Sequence, residues 1–288
     1  MKRVLIIAAA SIVFLLSLVM TVYPVISNIY NERHKSEIHT EYEEKVEQAD
    51  NSALVEAYER AVAYNKTITP GTADQNAYSQ AALKAAAEDY PNQLDVTGTG
   101  IMGYVEIPIL DLYLPIYHGT GSDSLERGVG HLLGSSLPVG GDSTHAILTG
   151  HSGMATEKMF TDITQMKMGD VFYLHVLDQV LAYQVCEMNT VLPHDTNLLG
   201  VLSGKDLCTL VTCTPIGVNT HRLLVRGERI PYEVAEVIVE EIVPEEIPQS
   251  NWELQYLSGL LIGLGAVSFL VMVVAMIYYY RRFCHGQR

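Results

Sequence analysis

The chain has 288 residues, 48% of them hydrophobic, and a formal net charge of -15. That length accommodates one well-buried domain together with further segments. All 33 acidic residues but only 13 of the 18 basic ones fall between Glu32 and Glu253, which leaves that middle stretch at -20; a surface of this sign excludes nucleic-acid binding by phosphate neutralisation, and leaves solubility or attraction of a basic partner as the meaning of the charge.

Val4 to Val22 runs for 19 residues without a charge, and Leu254 to Tyr280 for 27. A helix needs roughly 20 apolar residues to cross bilayer hydrocarbon, so each stretch is predicted to be a transmembrane helix. Lys2 and Arg3 precede the first stretch, and Arg281, Arg282 and Arg288 follow the second. Cations beside a span stay in the cytoplasm, which places both termini inside and the middle outside in a multi-pass protein of the cell membrane. Thr21 to Asn31 shows no small-x-small cleavage pattern, so the first span reads as an uncleaved anchor and not as a signal peptide.

Between the spans the texture changes twice. Glu32 to Tyr64 is rich in Glu, Ala, Lys and Gln and lacks Gly and Pro, which predicts one or two helices. Thr67 to Asn76, with Pro70 and Gly71, reads as a loop, and Gln80 to Glu88 as a short helix. From Gly100 onward, short apolar or alternating runs are punctuated by Gly, Pro and Asn. They are Gly103–Ile109, Leu112–Tyr117, Thr144–Thr149, Val171–Val176, Ala182–Val191, Leu207–Cys213 and Arg222–Arg226. Several short strands at this spacing indicate a mainly β domain, a barrel or a sandwich. The expected organisation is a cytoplasmic tip and first span over 1–30, a helical extension over 31–96, the β domain over 97–232, an acidic stalk over 233–253, the second span over 254–280 and a tail over 281–288.

The four cysteines, Cys186, Cys208, Cys213 and Cys284, show no paired spacing of the kind that holds zinc. Cys284 belongs to the cytoplasmic tail, so three thiols remain outside and at least one is unpaired within the chain. An odd exported thiol is a candidate reactive group. Cys208 and Cys213 on one strand lie about 16 Å apart, too far for a disulfide with each other. Free thiols at Cys186 and Cys208 are the preferred reading.

Chemistry concentrates around Cys213. Pro215 cannot donate to a strand ladder, so the strand ends there and Cys213 stands near its tip. Strand alternation puts Leu207, Thr209, Val211 and Cys213 on one face and Cys208, Leu210 and Thr212 on the other. A turn through Pro215, Gly217 and Asn219 leads to the next strand. In a hairpin centred between Gly217 and Val218, Arg222 lies directly opposite Cys213, where a cation favours thiolate and an oxyanion. Among ten histidines, His151 follows a strand in Thr149-Gly150-His151-Ser152-Gly153, a glycine-flanked loop that can project a side chain from a rim. His145 lies within that strand, and His118, His131, His194 and His221 are also near turns. An isolated cysteine in a β-rich chain is more often a small buried hydrophobe, and a lone arginine in a strand a solvated one. These residues by themselves leave nucleophilic catalysis and a structural role both open.

Leu148-Thr149-Gly150-His151, Thr209-Leu210-Val211-Thr212-Cys213 and Asn219-Thr220-His221-Arg222-Leu223 together resemble the signature of sortases, nearest to the class C, pilin-polymerising branch. The resemblance covers about Gly100 to Tyr232 and includes Gly103-Tyr104-Val105-Glu106-Ile107-Pro108, Leu114 to Thr120 and Gly130-His131-Leu132-Leu133-Gly134. It implies a closed eight-stranded β-barrel with short helices, and catalytic roles for Cys213 as nucleophile, His151 as general acid and base, and Arg222 as oxyanion and substrate holder. The implied substrates are pilin or surface proteins with a Leu-Pro-x-Thr-Gly-like sorting signal, cleaved between Thr and Gly and joined to a lysine amine. A cell-wall anchoring sortase that uses a peptidoglycan-precursor amine, and a non-catalytic membrane-anchored scaffold, are the alternatives. Class C members commonly carry an Asp-Pro-aromatic lid; Thr72 to Tyr78 has Asp74 without that Pro or aromatic, which leaves open whether Asp74 or Tyr78 covers the site. No cofactor and no metal are expected.

Overall fold

The computed structural model describes residues 38–68, 90–154 and 157–242, with scattered helical positions among 14–31 and 261–267. The expected spans Val4–Val22 and Leu254–Tyr280 fall largely outside the described residues. Among the described residues no helix is long and apolar enough to cross a membrane, so the structure lends the two transmembrane helices no support. Asp74, Tyr78, the helix expected over Gln80–Glu88 and Cys284 also lie outside the described residues. Contacts divide the chain into one unit, Ser27–Pro248, and a second composed of Met1–Ile26 and Gln249–Arg288.

The first unit begins with helix α1 over 38–48 and helix α2 over Asn51–Asn65. Asp50 separates them, because its carboxylate accepts from the backbone N–H of Ser52 and caps α2. The buried positions of α2 are Leu54, Ala57, Ala61 and Asn65, a helical spacing that turns one face to the core. Asn65 closes that face: its amide donates to the Leu137 carbonyl at 3.1 Å and its oxygen accepts from Leu137 N–H at 2.7 Å. The extension is thereby clamped to the β domain and shares its core.

Eight strands follow, β1 Ile101–Ile107, β2 Leu112–His118, β3 Val129–His131, β4 Thr144–Thr149, β5 Val171–Val176, β6 Gln179–Val191, β7 Asp206–Thr214 and β8 His221–Ile230. They close into a barrel in the order β1-β2-β3-β4-β7-β8-β6-β5, so the closed-barrel expectation holds. Eight strands enclose an interior just wide enough for side chains to fill, and here stacked Phe172 and Tyr183, with centroids 5.6 Å apart, occupy part of it. Helix α3, Ser122–Arg127, lies between β2 and β3. The described part of the acidic segment after the barrel is helix α4, Tyr232–Ile242, which buries Ala235 against Val171, Tyr173 and Ala182; the rest of the expected stalk lies outside the described residues.

Two buried histidines lock the barrel's connections. His131 Nε2 donates to the Ser136 carbonyl at 2.9 Å, which leaves Nδ1 to accept from the Tyr90 hydroxyl at 2.8 Å. His145 Nδ1 donates to the Gly200 carbonyl at 2.8 Å while Nε2 accepts from Thr209 Oγ1 at 2.7 Å. Burial pushes both imidazoles from the usual 6.5 down to about 4. Both are therefore neutral when folded but take up protons when unfolded between those values, and the unfolded state gains as pH falls through that window. The thermal midpoint is expected to fall between about pH 7 and about pH 5, and a midpoint that holds constant would contradict the two locks.

Candidate active site

Three neighbouring strands carry the candidate residues in parallel rows. β4 and β7 pair in parallel, with Thr149 beside Val211, and β7 and β8 pair antiparallel, with Cys213 opposite Arg222. The hairpin register expected from the turn is the register observed. Cys208 and Leu210 belong to the main core, whereas Val211 packs with Ile147 and Leu224 in a separate cluster, so alternation puts Thr209, Val211 and Cys213 on the outer face. On β4 the outer row is His145, Ile147 and Thr149, since His145 bonds Thr209, and Ile147 packs with Val211 and Leu224. On β8 it is Arg226, Leu224 and Arg222, by their pairing with that row.

The β4 row continues past the strand's end. Gly150 N–H donates to the Val211 carbonyl at 3.0 Å, and the Gly150 carbonyl accepts from Thr212 Oγ1 at 2.8 Å. A Cβ at Gly150 would stand 2.6 Å from Cδ2 of the Phe160 ring, so only glycine lets the chain run this close to the core. One residue on lies His151, two positions past the end of β4, with its carbonyl held by Phe160 N–H at 2.9 Å. Ser152 then donates its hydroxyl to the Cys213 carbonyl at 2.6 Å. Cys213 and Arg222 thus face each other at one end of the barrel, His151 follows the end of the neighbouring β4 at that same end, and all three are half-buried.

The rim's cation is fixed by its own hairpin. Arg222 Nη1 donates to the carbonyls of Asn219 at 3.2 Å and His221 at 3.0 Å. The turn is closed by Val218 and Asn219 N–H groups on the Pro215 carbonyl, with Asn219 at φ 59. Beneath the rim, Ile147, Val211 and Leu224 form an apolar cluster with Leu198 and Leu199 from the β6–β7 connection. Arg226 anchors that connection by bonding the Glu187 carboxylate and the Leu198 carbonyl. Such an arrangement presents a half-buried thiol at a strand tip, with an arginine opposite it in the ladder and a histidine-bearing loop leaving the neighbouring strand.

The other two described cysteines are unpaired and poorly suited to that role. Cys208 is fully buried, and burial pushes its thiol well up. Cys186 is exposed, on β6, and its thiol is raised by desolvation and by Glu228. Sequence reasoning did not single out Ser152, Thr212 or Phe160, which tie the histidine loop to the cysteine strand. Their partners lie on other elements, and no local pattern marks them.

A family model described as the sortase domain matches residues 105–230. The crystal structure of Streptococcus pneumoniae sortase C is 46% identical, covers 68% of this chain and 97% of its own, and superposes with a TM-score of 0.60. Sortase C1 of Streptococcus agalactiae is 42% identical, covers 68% of this chain and 98% of its own, with a TM-score of 0.61. Sortase D of Bacillus subtilis is 28% identical over 54% of this chain and 74% of that relative. A closed barrel with a thiol at its rim and relatives of this kind defines a cysteine transpeptidase. The chain belongs to the sortase family, and the solved structures it resembles are class C sortases.

Proposed function

We propose that this chain polymerises pilin subunits through an acyl-enzyme on Cys213. The Cys213 thiolate attacks the Thr carbonyl of a Leu-Pro-x-Thr-Gly-like signal, and Arg222 donates to the oxyanion that forms. His151 protonates the Gly amine as the peptide C–N bond breaks, leaving a thioester. A pilin lysine amine then attacks the thioester, His151 takes its proton, and the C–S bond breaks as the isopeptide C–N bond forms. The observation that supports this reading most is the pairing of Cys213 with Arg222 at the tip of β7, next to the end of β4 after which His151 follows.

The structure of the Streptococcus pneumoniae relative bears on pilin substrate specificity, which supports a pilin over a wall precursor as acceptor. The apolar runs Val4–Val22 and Leu254–Tyr280, with their flanking cations, support tethering at the outer face of a Gram-positive membrane. Tethering raises the effective concentration of two membrane-held substrates without new contacts. Incubation of the purified chain with a pilin subunit is expected to give a covalent ladder. A product formed only with a peptidoglycan-stem amine would instead assign the anchoring reaction. Reporter fusions should place both termini in the cytoplasm, and an outside signal from either one would refute the two spans.

A further inference from the structure

The segment that carries His151 does not part from β7 where the β4–β7 ladder stops. Gly150 N–H donates to the Val211 carbonyl at 3.0 Å, and Thr212 Oγ1 donates to the Gly150 carbonyl at 2.8 Å. Ser152 Oγ then donates to the carbonyl of Cys213 itself at 2.6 Å. Gly153 comes next at φ 72, and a Cβ there would stand 2.5 Å from Ile216 Cγ2. Residues 150, 152 and 153 thus meet 211, 213 and 216 in rising order, so the two segments run side by side past the last ladder pair, Thr149 with Val211.

The same segment is also held from the chain that follows it. Phe160 N–H donates to the His151 carbonyl at 2.9 Å, and Gly153 N–H donates to Thr161 Oγ1 at 2.9 Å. Phe160 is fully buried, which fixes that attachment to the core. Of all these ties, the Ser152 hydroxyl bond alone ends on residue 213. It starts from the residue directly after the histidine and ends on the peptide of the cysteine.

We propose that Ser152 is a positioning residue, which fixes the His151 segment against the Cys213 peptide so that acid and nucleophile keep one spacing through the reaction. The inference rests on the transpeptidase reading, in which the Cys213 S–C bond forms, the peptide C–N bond breaks and His151 gives its proton to the departing Gly nitrogen. A proton is handed over only within hydrogen-bond reach. A misplacement of about 1 Å can cost about a hundredfold in rate. Stability depends far less on this bond, because Ser152 and Cys213 are half-buried and water can replace the hydroxyl at the carbonyl.

The test is single-turnover acylation of the full chain in detergent by two substrates that share a Leu-Pro-Ala-Thr acyl group. One is a peptide whose Gly amine needs a proton to leave, and the other is an aryl thioester whose thiolate leaves without one. Ser152→Ala is expected to slow the peptide about tenfold and the thioester by no more than about twofold, with the half-saturating concentration and the melting midpoint close to wild type. Ser152→Thr keeps the hydroxyl and should bring the peptide rate back to within about threefold of wild type. Equal slowing of both substrates, an unchanged peptide rate in Ser152→Ala, or equal loss in the threonine and alanine variants overturns the proposal. A wild type acylated by neither substrate overturns the transpeptidase reading along with it, whereas wild-type acylation beside any of those three results overturns this inference alone.

Discussion

Cys213→Ala is expected to reduce turnover of a Leu-Pro-x-Thr-Gly peptide to background, a loss on the order of 10⁴-fold to 10⁶-fold, with the thermal midpoint unchanged. The size follows from chemistry: without sulfur no thioester forms, and rim groups that merely bind and polarise cannot replace a covalent step. The fold should tolerate the change because Cys213 is half-buried at a strand tip, outside the barrel core, and its backbone carbonyl keeps the bond from Ser152. The remaining described thiols offer no bypass. Cys208 is enclosed on the interior row, and Cys186 lies on β6 rather than on the rim. The same variant separates an enzyme from a scaffold, since a scaffold retains its cellular role without the thiol. Mass analysis of the wild type with a sorting peptide should place the acyl adduct on the Cys213 peptide; an adduct elsewhere, or turnover by the variant, would sink the assignment.

The ease with which the site was legible depended on the range of each contact. The β7–β8 hairpin is local: Pro215, Gly217 and Asn219 mark the turn, alternation marks the strand, and their register follows by counting. Thr144–Thr149 and Val171–Val176 are equally local, and their bounds agree with the apolar runs. β1 stops at Ile107, two residues before the expected end, because Pro108 opens a 3₁₀ turn. β6 starts at Gln179, earlier than expected, since the turn uses Leu177 at φ 56 in place of a glycine. Val129–His131 is too short to show a period. The parallel pairing of β4 with β7 joins segments some sixty residues apart, and only that pairing brings the end of β4, which His151 follows, to the end of β7 that carries Cys213. Spacing among ten histidines could not reveal it, and the family resemblance carried that choice.

Arg222→Ala is expected to lower kcat/KM for thioester formation by about a hundred- to a thousandfold, the usual consequence of losing one oxyanion donor. Arg222 stands opposite Cys213 in the ladder, so its side chain leaves the sheet on the same face as the sulfur. Nη1 is committed to the Asn219 and His221 carbonyls, while Nη2 and Nε make no hydrogen bond among the described residues. A guanidinium can therefore be held by its own turn and still donate to a substrate, because its five N–H groups form a rigid fork. Lysine offers one compact ammonium that cannot serve the turn and the oxyanion from the same position. Arg222→Lys should accordingly recover no more than about tenfold of the loss, although it keeps the charge. The decisive comparison is single-turnover acylation of both variants beside their melting midpoints. Recovery by lysine to near the wild-type rate would show that charge alone suffices, and an unchanged rate in Arg222→Ala would remove the guanidinium from the mechanism.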